Sequence, residues 1–229
     1  MKFIFPPAPQ AAVPVAGSDE FFPVHRIYCV GQNYAAHARE MGSSERESPF
    51  FFSKPADAVL PVTDGAIGQM PYPLATQNLH HEIELVVAIG TGGQHIAASA
   101  AGAHIFGYAI GLDMTRRDLQ AEAKKAGRPW SVAKGFDYSA PIGPIHRAES
   151  VLPTGGIGLS VNGTVRQSGR LDHMIWNVAE TIAYLSTLFA LQPGDLIFTG
   201  TPEGVGAVVR GDLLVGSIDG LGKLQIVLV

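Results

Sequence analysis

Glu82 and Glu84 stand two residues apart at the head of an apolar run, Leu85-Val86-Val87-Ala88-Ile89. Side chains of a strand alternate between faces with a period of two, so this pair shares one face beside a core. Like charges so placed repel, and an unpaired buried charge costs on the order of several kcal/mol. A cation between them relieves both costs. Oxygen donors select a hard ion, meaning Mg²⁺, Mn²⁺ or Ca²⁺. On its own, a Glu-x-Glu pair equally fits a sheet edge that frays into solvent. A third carboxylate weighs against that reading, because Asp113 closes a second apolar run, Ile105-Phe106-Gly107-Tyr108-Ala109-Ile110-Gly111-Leu112.

A general base is also present. Asn33 can cap a short helix over residues 34–41 that Gly42 stops, and His37 and Glu40 fall three apart on it. A carboxylate so placed orients an imidazole and raises its basicity, although a solvated surface pair has the same spacing. A second helix opens where Thr115 and Asp118 resemble a capping box and closes at Gly127. Its polar face begins beside Asp113 with Arg117 and Gln120, which could grip an anionic ligand of a metal; Lys124 on the same face reads as solvated. Lys134 is flanked by apolar residues in an irregular segment over 130–137, so burial beside the carboxylates is open to it. Lys54 ends the apolar strand of 49–55 and reads as a lysine snorkelling to the surface. Thr199-Gly200-Thr201-Pro202 is no phosphate loop, but it could present Thr201 and backbone N–H groups to an anion; a plain glycine-rich turn is the alternative.

The elements that position these groups are mostly strands. Residues 26–30 and 196–198 read as strands, Asn162-Gly163 as a two-residue hairpin turn in what looks like scaffold, and residues 174–188 as a helix with one apolar face. Glycine-punctuated short strands finish an all-β C-terminal region. Residues 6–23, rich in Pro and Ala, read as an arm laid over the body.

At 229 residues the chain suits one main domain. Hydrophobic residues make up 46% and charged residues only 16%, which predicts burial in a subunit interface as well as in the fold. A net charge of -4 without a basic stripe argues against a nucleic-acid or anionic-membrane surface and for a small-molecule partner. Cys29 is the single cysteine, which excludes an intrachain disulfide and a cysteine-based zinc site and fits a reducing cytoplasm. The start is broken by Pro6 and Pro7 too soon for a signal peptide, and no later run reaches membrane-spanning length.

Taken in order, Glu82-Ile83-Glu84, Asp113 with Arg117 and Gln120, Lys134, and Thr199-Gly200-Thr201-Pro202 resemble the fumarylacetoacetate hydrolase family. The similarity runs from about residue 24 to the end, in a short branch of acylpyruvases, oxaloacetate decarboxylases and fumarylpyruvate hydrolases; residues 50–58 and 116–130 look most like the fumarylpyruvate hydrolases of aromatic (gentisate) breakdown. The resemblance implies an α+β, mainly β fold: a mixed β-sandwich roll with a few short helices over 24–229, preceded by the arm of 1–23, and usually a homodimer. It implies Mg²⁺ or Mn²⁺ (Ca²⁺ in a crystal) on Glu82, Glu84 and Asp113, and a 2,4-dioxo acid as substrate, its oxygens contacted by Arg117, Gln120, Lys134 and Thr201. His37, oriented by Glu40, then deprotonates the water that attacks the distal carbonyl, and Lys134 stabilises the negative charge that develops. For a second, distal carboxylate the sequence offers Arg39, Arg116 and Arg128, and Arg39 is preferred because it shares the helix of His37 and Glu40. Oxaloacetate decarboxylation, a dienedioate isomerase activity and a non-catalytic metal-binding dimer are the alternatives.

Overall fold

The computed structural model describes residues 2–34, 47–149 and 154–229. Two sheets enclose the main core. The larger, eight-stranded sheet runs Phe50–Lys54, Ile27–Gly31, Leu196–Phe198, Ile83–Ile89, Ile105–Leu112, Ala140–Ile142 and Val59–Pro61 across its width, with His146–Arg147 added to Ile105–Leu112. It is mixed: Leu196–Phe198 is parallel to Ile27–Gly31 and antiparallel to Ile83–Ile89. The second, five-stranded sheet runs Thr164–Arg170, Gly156–Val161, Leu213–Ile218, Gly222–Leu228 and Ile67–Met70. The expected hairpin turns at Asn162 and Gly163, both with positive φ (51° and 79°) as a type I′ turn requires.

The strand Ile83–Ile89 is buried on both faces, as its unbroken apolar run predicts. Ile83, Leu85, Val87 and Ile89 join the core between the sheets, whereas Val86 and Ala88 join a separate cluster with Ile27, Cys29, Leu196 and Phe198. Residues 12–14 and 21–23 form a two-stranded ladder that packs Val13, Val15 and Phe22 into this second cluster. Glu84 belongs by alternation to the face of Val86, and its register partner is Gly111. A Cβ at Gly111 would stand 2.6 Å from both Phe198 and Val86, so only glycine lets the two strands and Phe198 close up beside the carboxylate.

Three local expectations are corrected. The segment after Trp130 is not irregular throughout, since Ser131–Lys134 makes a turn of α-helix. The long helix begins at Val178, not at residue 174, because Asn177 and Glu180 form a reciprocal capping box there, while the N–H groups of Ile175 and Trp176 bond back to Asn33. Thr115 and Asp118 do not form a capping box on the helix Arg117–Lys125. Thr115 instead pairs with His80 in a short ladder, and the Asp118 carboxylate accepts from Thr76 Oγ1 (2.7 Å) and the Gln77 N–H (2.9 Å). The same carboxylate also accepts from a helix N–H, that of Leu119 at 2.9 Å, so Asp118 is shared between tertiary donors and its own helix. Among the described residues no helix is long and apolar enough to cross a membrane.

Candidate active site

Two adjacent strand ends place three carboxylates together. Glu82 immediately precedes the strand Ile83–Ile89, Glu84 lies one alternation along it, and Asp113 follows its antiparallel neighbour Ile105–Leu112, tied by the Asp113 N–H donating to the Glu82 carbonyl at 2.8 Å. All three are buried, and one oxygen from each lies within 4.8 Å of the others. Oxygens at that spacing suit a hard divalent ion at metal–oxygen distances of about 2.0–2.6 Å. Cations already stand around the cluster. Lys134 Nζ lies 2.8 Å from Glu82 Oε2 and 2.7 Å from Asp113 Oδ2, Lys54 Nζ lies 2.8 Å from Asp113 Oδ1, and Arg117 pairs with Glu82 Oε1. Each carboxylate oxygen keeps lone pairs beyond these contacts, so the donor set still fits an added metal.

Glu84 differs from its neighbours. Its described partner is the Gly200 N–H, which donates to Oε2 at 2.7 Å, and no cation is paired with it among the described residues. Burial, followed by the charges of Asp113 and Glu82, raises its pKa well above the ordinary carboxylate value. Gly200 reaches it with φ +96°, and a Cβ there would meet Asn33 at 2.7 Å. The Thr199-Gly200-Thr201-Pro202 turn therefore serves the carboxylate directly, where the sequence suggested an anionic ligand. Lys134 holds its proton, since the carboxylates outweigh the desolvation that would lower its pKa.

A residue that the sequence does not single out ties this centre together. Gln167, on the hairpin strand Thr164–Arg170, is fully buried; its Oε1 accepts from the Ile83 N–H (3.1 Å) and His81 Nδ1 (2.9 Å), and its Nε2 donates to Thr201 Oγ1 (2.8 Å) and the Pro202 carbonyl (2.8 Å). With Oε1 acting only as acceptor, the His81 proton sits on Nδ1, and burial lowers the pKa of this imidazole. Thr201 Oγ1 in turn donates to the Ile83 carbonyl at 2.7 Å. Gln167 so joins the strand between the two glutamates to the turn behind them. No motif marks it, because its role depends on a register between distant strands. Gln167→Leu should lower stability by about 3 kcal/mol through the buried groups it leaves unpaired; an unchanged unfolding midpoint would show that the network is dispensable.

The carboxylates open into a cleft whose lining includes Gln32, Phe50, Phe52, Arg117, Gln120, Lys124, Trp130, Lys134 and Thr201. Arg117 Nη1 donates to Gln120 Oε1 at 2.5 Å, leaving the Gln120 amide N–H groups for a ligand. His80 accepts from Arg117 Nε at 3.3 Å, and burial with that positive charge lowers its pKa to about 4. One lysine reading changes: Lys54 is no surface lysine but is 2% exposed beneath Asp113. Lys124 is exposed, as expected, and also contributes to the cleft lining. Arg116 is set apart, its guanidinium 4.4 Å from the Phe136 ring centroid. His37, Arg39 and Glu40 lie outside the described residues. Asn33, their expected helix cap, has its described contacts elsewhere, donating to the carbonyls of Trp176 (2.9 Å) and Thr199 (2.7 Å).

The family model for the C-terminal domain of fumarylacetoacetate (FAA) hydrolase matches residues 26–229. The chain belongs to the fumarylacetoacetate hydrolase family. It is 46% identical over 181 residues to a fumarylpyruvate hydrolase of Ralstonia sp, covering 79% of this chain and 92% of that protein. It is 43% identical over 208 residues to a mitochondrial oxaloacetate tautomerase of Arabidopsis thaliana, covering 87% and 89%. The crystal structure of fumarylpyruvate hydrolase from Pseudomonas aeruginosa in complex with Mn²⁺ and pyruvate superimposes with a TM-score of 0.97 at 55% identity, covering 100% of this chain and 99% of that one. The family fold expected from sequence, α+β and mainly β, is the fold observed, and the chain is a hydrolase acting on carbon–carbon bonds.

Proposed function

We propose that this member of the family hydrolyses 2,4-dioxo acids, with fumarylpyruvate cleaved to fumarate and pyruvate as its main reaction in aromatic catabolism. The observation that carries the reading is the buried Glu82–Glu84–Asp113 cluster opening into a single cleft with Arg117, Gln120 and Lys134. The three carboxylates would hold Mg²⁺ or Mn²⁺, which supplies Lewis-acid polarisation of the 2-oxo acid end of the substrate. Arg117 and the Gln120 amide are placed to donate to its oxygens, and Thr201 fixes the wall behind them. Lys134, protonated, offers fixed positive charge where the leaving carbon gains electrons. His37, held by Glu40, takes the proton of the attacking water; the water oxygen bonds to the distal carbonyl carbon, the adjacent C–C bond breaks, and its electron pair stays with the pyruvate fragment until that carbon is protonated.

The name of the Arabidopsis relative favours a second reading, in which oxaloacetate occupies the same donors and no water attacks. A purely structural metal site would give the cleft's Arg117, Gln120 and Lys134 nothing to do. Low charge content supports a homodimer, which light scattering would test, and the single cysteine suits a cytoplasmic enzyme. Steady-state kinetics on fumarylpyruvate, acetylpyruvate and oxaloacetate, with Mg²⁺, with Mn²⁺ and with a chelator, is the deciding measurement. The specificity constant should be largest for fumarylpyruvate and vanish with the metal. A preference for oxaloacetate would overturn the substrate and leave the family intact.

A further inference from the structure

The outer wall of the cleft carries a cation that the chemistry above does not use. Arg117, Lys134 and Lys54 are each paired with a carboxylate, but Lys124, which lines the same cleft, has no carboxylate partner among the described residues. Its Nζ stands 5.1 Å from the ring centroid of Trp130. The Trp130 ring lies 5.7 Å from that of Phe52, and Phe52 in turn lies 5.0 Å from Lys134 Nζ. An inner ammonium at the carboxylate cluster and an outer one at the helix Arg117–Lys125 are thus separated by an apolar wall of two aromatic rings. Partial desolvation at the cleft mouth and the nearby charges of Arg117 and Lys134 press against protonation of Lys124, so this cation gains from an anion brought in from outside. Among the described residues, Arg117, Lys134 and Lys124 offset the three carboxylates of the lining, and Lys54 behind Asp113 adds one further positive charge. That charge favours a dianion over a monoanion.

We propose that Lys124 receives the distal carboxylate of the substrate, so that the site selects 2,4-dioxo acids bearing a second carboxylate across a short, planar, unsaturated chain lying along Phe52 and Trp130. The inference rests on the reaction proposed above, and it replaces Arg39 as the expected partner of that carboxylate. Arg128 is the nearest competitor, because it lines a hollow next to the cleft with Phe50, Phe52 and Trp130.

The test is the ratio of kcat/KM for fumarylpyruvate to that for acetylpyruvate, in the wild type and in Lys124→Gln, Lys124→Arg and Arg128→Gln. Loss of a charge-assisted hydrogen bond should lower the ratio about 10- to 100-fold in Lys124→Gln. Lys124→Arg should restore most of it, which a merely structural role would not do. Lys124 is on an exposed helix face, so all variants should keep the wild-type unfolding midpoint. A ratio held in Lys124→Gln, or one that collapses only in Arg128→Gln, overturns the assignment. So does a wild type that cleaves both acids equally well, although the reaction then stands. A wild type that cleaves neither acid removes the proposed reaction and this inference with it.

Discussion

Glu84→Ala is expected to abolish divalent-metal binding in titration calorimetry and to bring turnover down to background, while the chain still folds. Glu84 is the carboxylate of the cluster with a raised pKa and no described ion pair, so in the metal-free protein its charge is the least compensated. Removing it relieves repulsion from Asp113 and Glu82 at the same moment that it removes a ligand. The two effects separate in a thermal melt. Mn²⁺ at about 100 times its Kd should stabilise the wild type by about 2.7 kcal/mol, and the variant not at all. The pH dependence follows from the direction of the shift. A carboxyl whose folded pKa lies above its unfolded value contributes stability that is fully present below the unfolded pKa and is lost as pH rises through the folded one. A bound cation takes the place of that proton, so the stabilisation by Mn²⁺ should grow from acid toward neutral pH. Metal affinity retained in Glu84→Ala would remove this residue from the ligand set.

Much of this centre was legible because it is written in local sequence. Period-two alternation put Glu82 and Glu84 on one face, the unbroken apolar run marked a strand buried on both sides, and Asp113 closed the neighbouring run; the geometry follows from those patterns. Lys54 was misread for the opposite reason. A lysine before a proline at a strand end looks like a surface residue, and only the register Ile27↔Lys54, within a sheet whose central strands deliver Asp113, buries it. Gln167 is not legible on the same ground: its four partners come from two segments, 81–83 and 201–202, that no spacing ties to it. For Lys124, helical periodicity gives a face but not what the face opposes, and Trp130, after the helix has ended, supplies the missing wall.

His37→Gln is expected to slow hydrolysis of acylpyruvates by about 10²- to 10⁴-fold, the scale of a lost general base. The carboxylates, Arg117 and Lys134 can bind and polarise a dioxo acid, yet each is an acid, a cation or a proposed metal ligand, and of the two histidines beside the cluster only His81 keeps a buried ring nitrogen, Nε2, without a partner among the described residues. His80 accepts from Arg117 with its pKa lowered to about 4, and His81 is buried with its Nδ1 proton on Gln167. Both pKa values are lowered, which weakens these imidazoles as bases, and the base proposed above belongs to residues 35–46, which follow Gln32 of the cleft lining in sequence. His37 with Glu40 is the pair that sequence offers there. Oxaloacetate decarboxylation needs an electron sink but no activated water, so the same variant should retain a much larger share of any such activity. The measurement is kcat for both substrates in one preparation, with Mn²⁺ affinity as the control for an intact site. An equal loss on both would mean that His37 is not specifically the water's base, and a full hydrolytic rate in the variant would move the base to another residue.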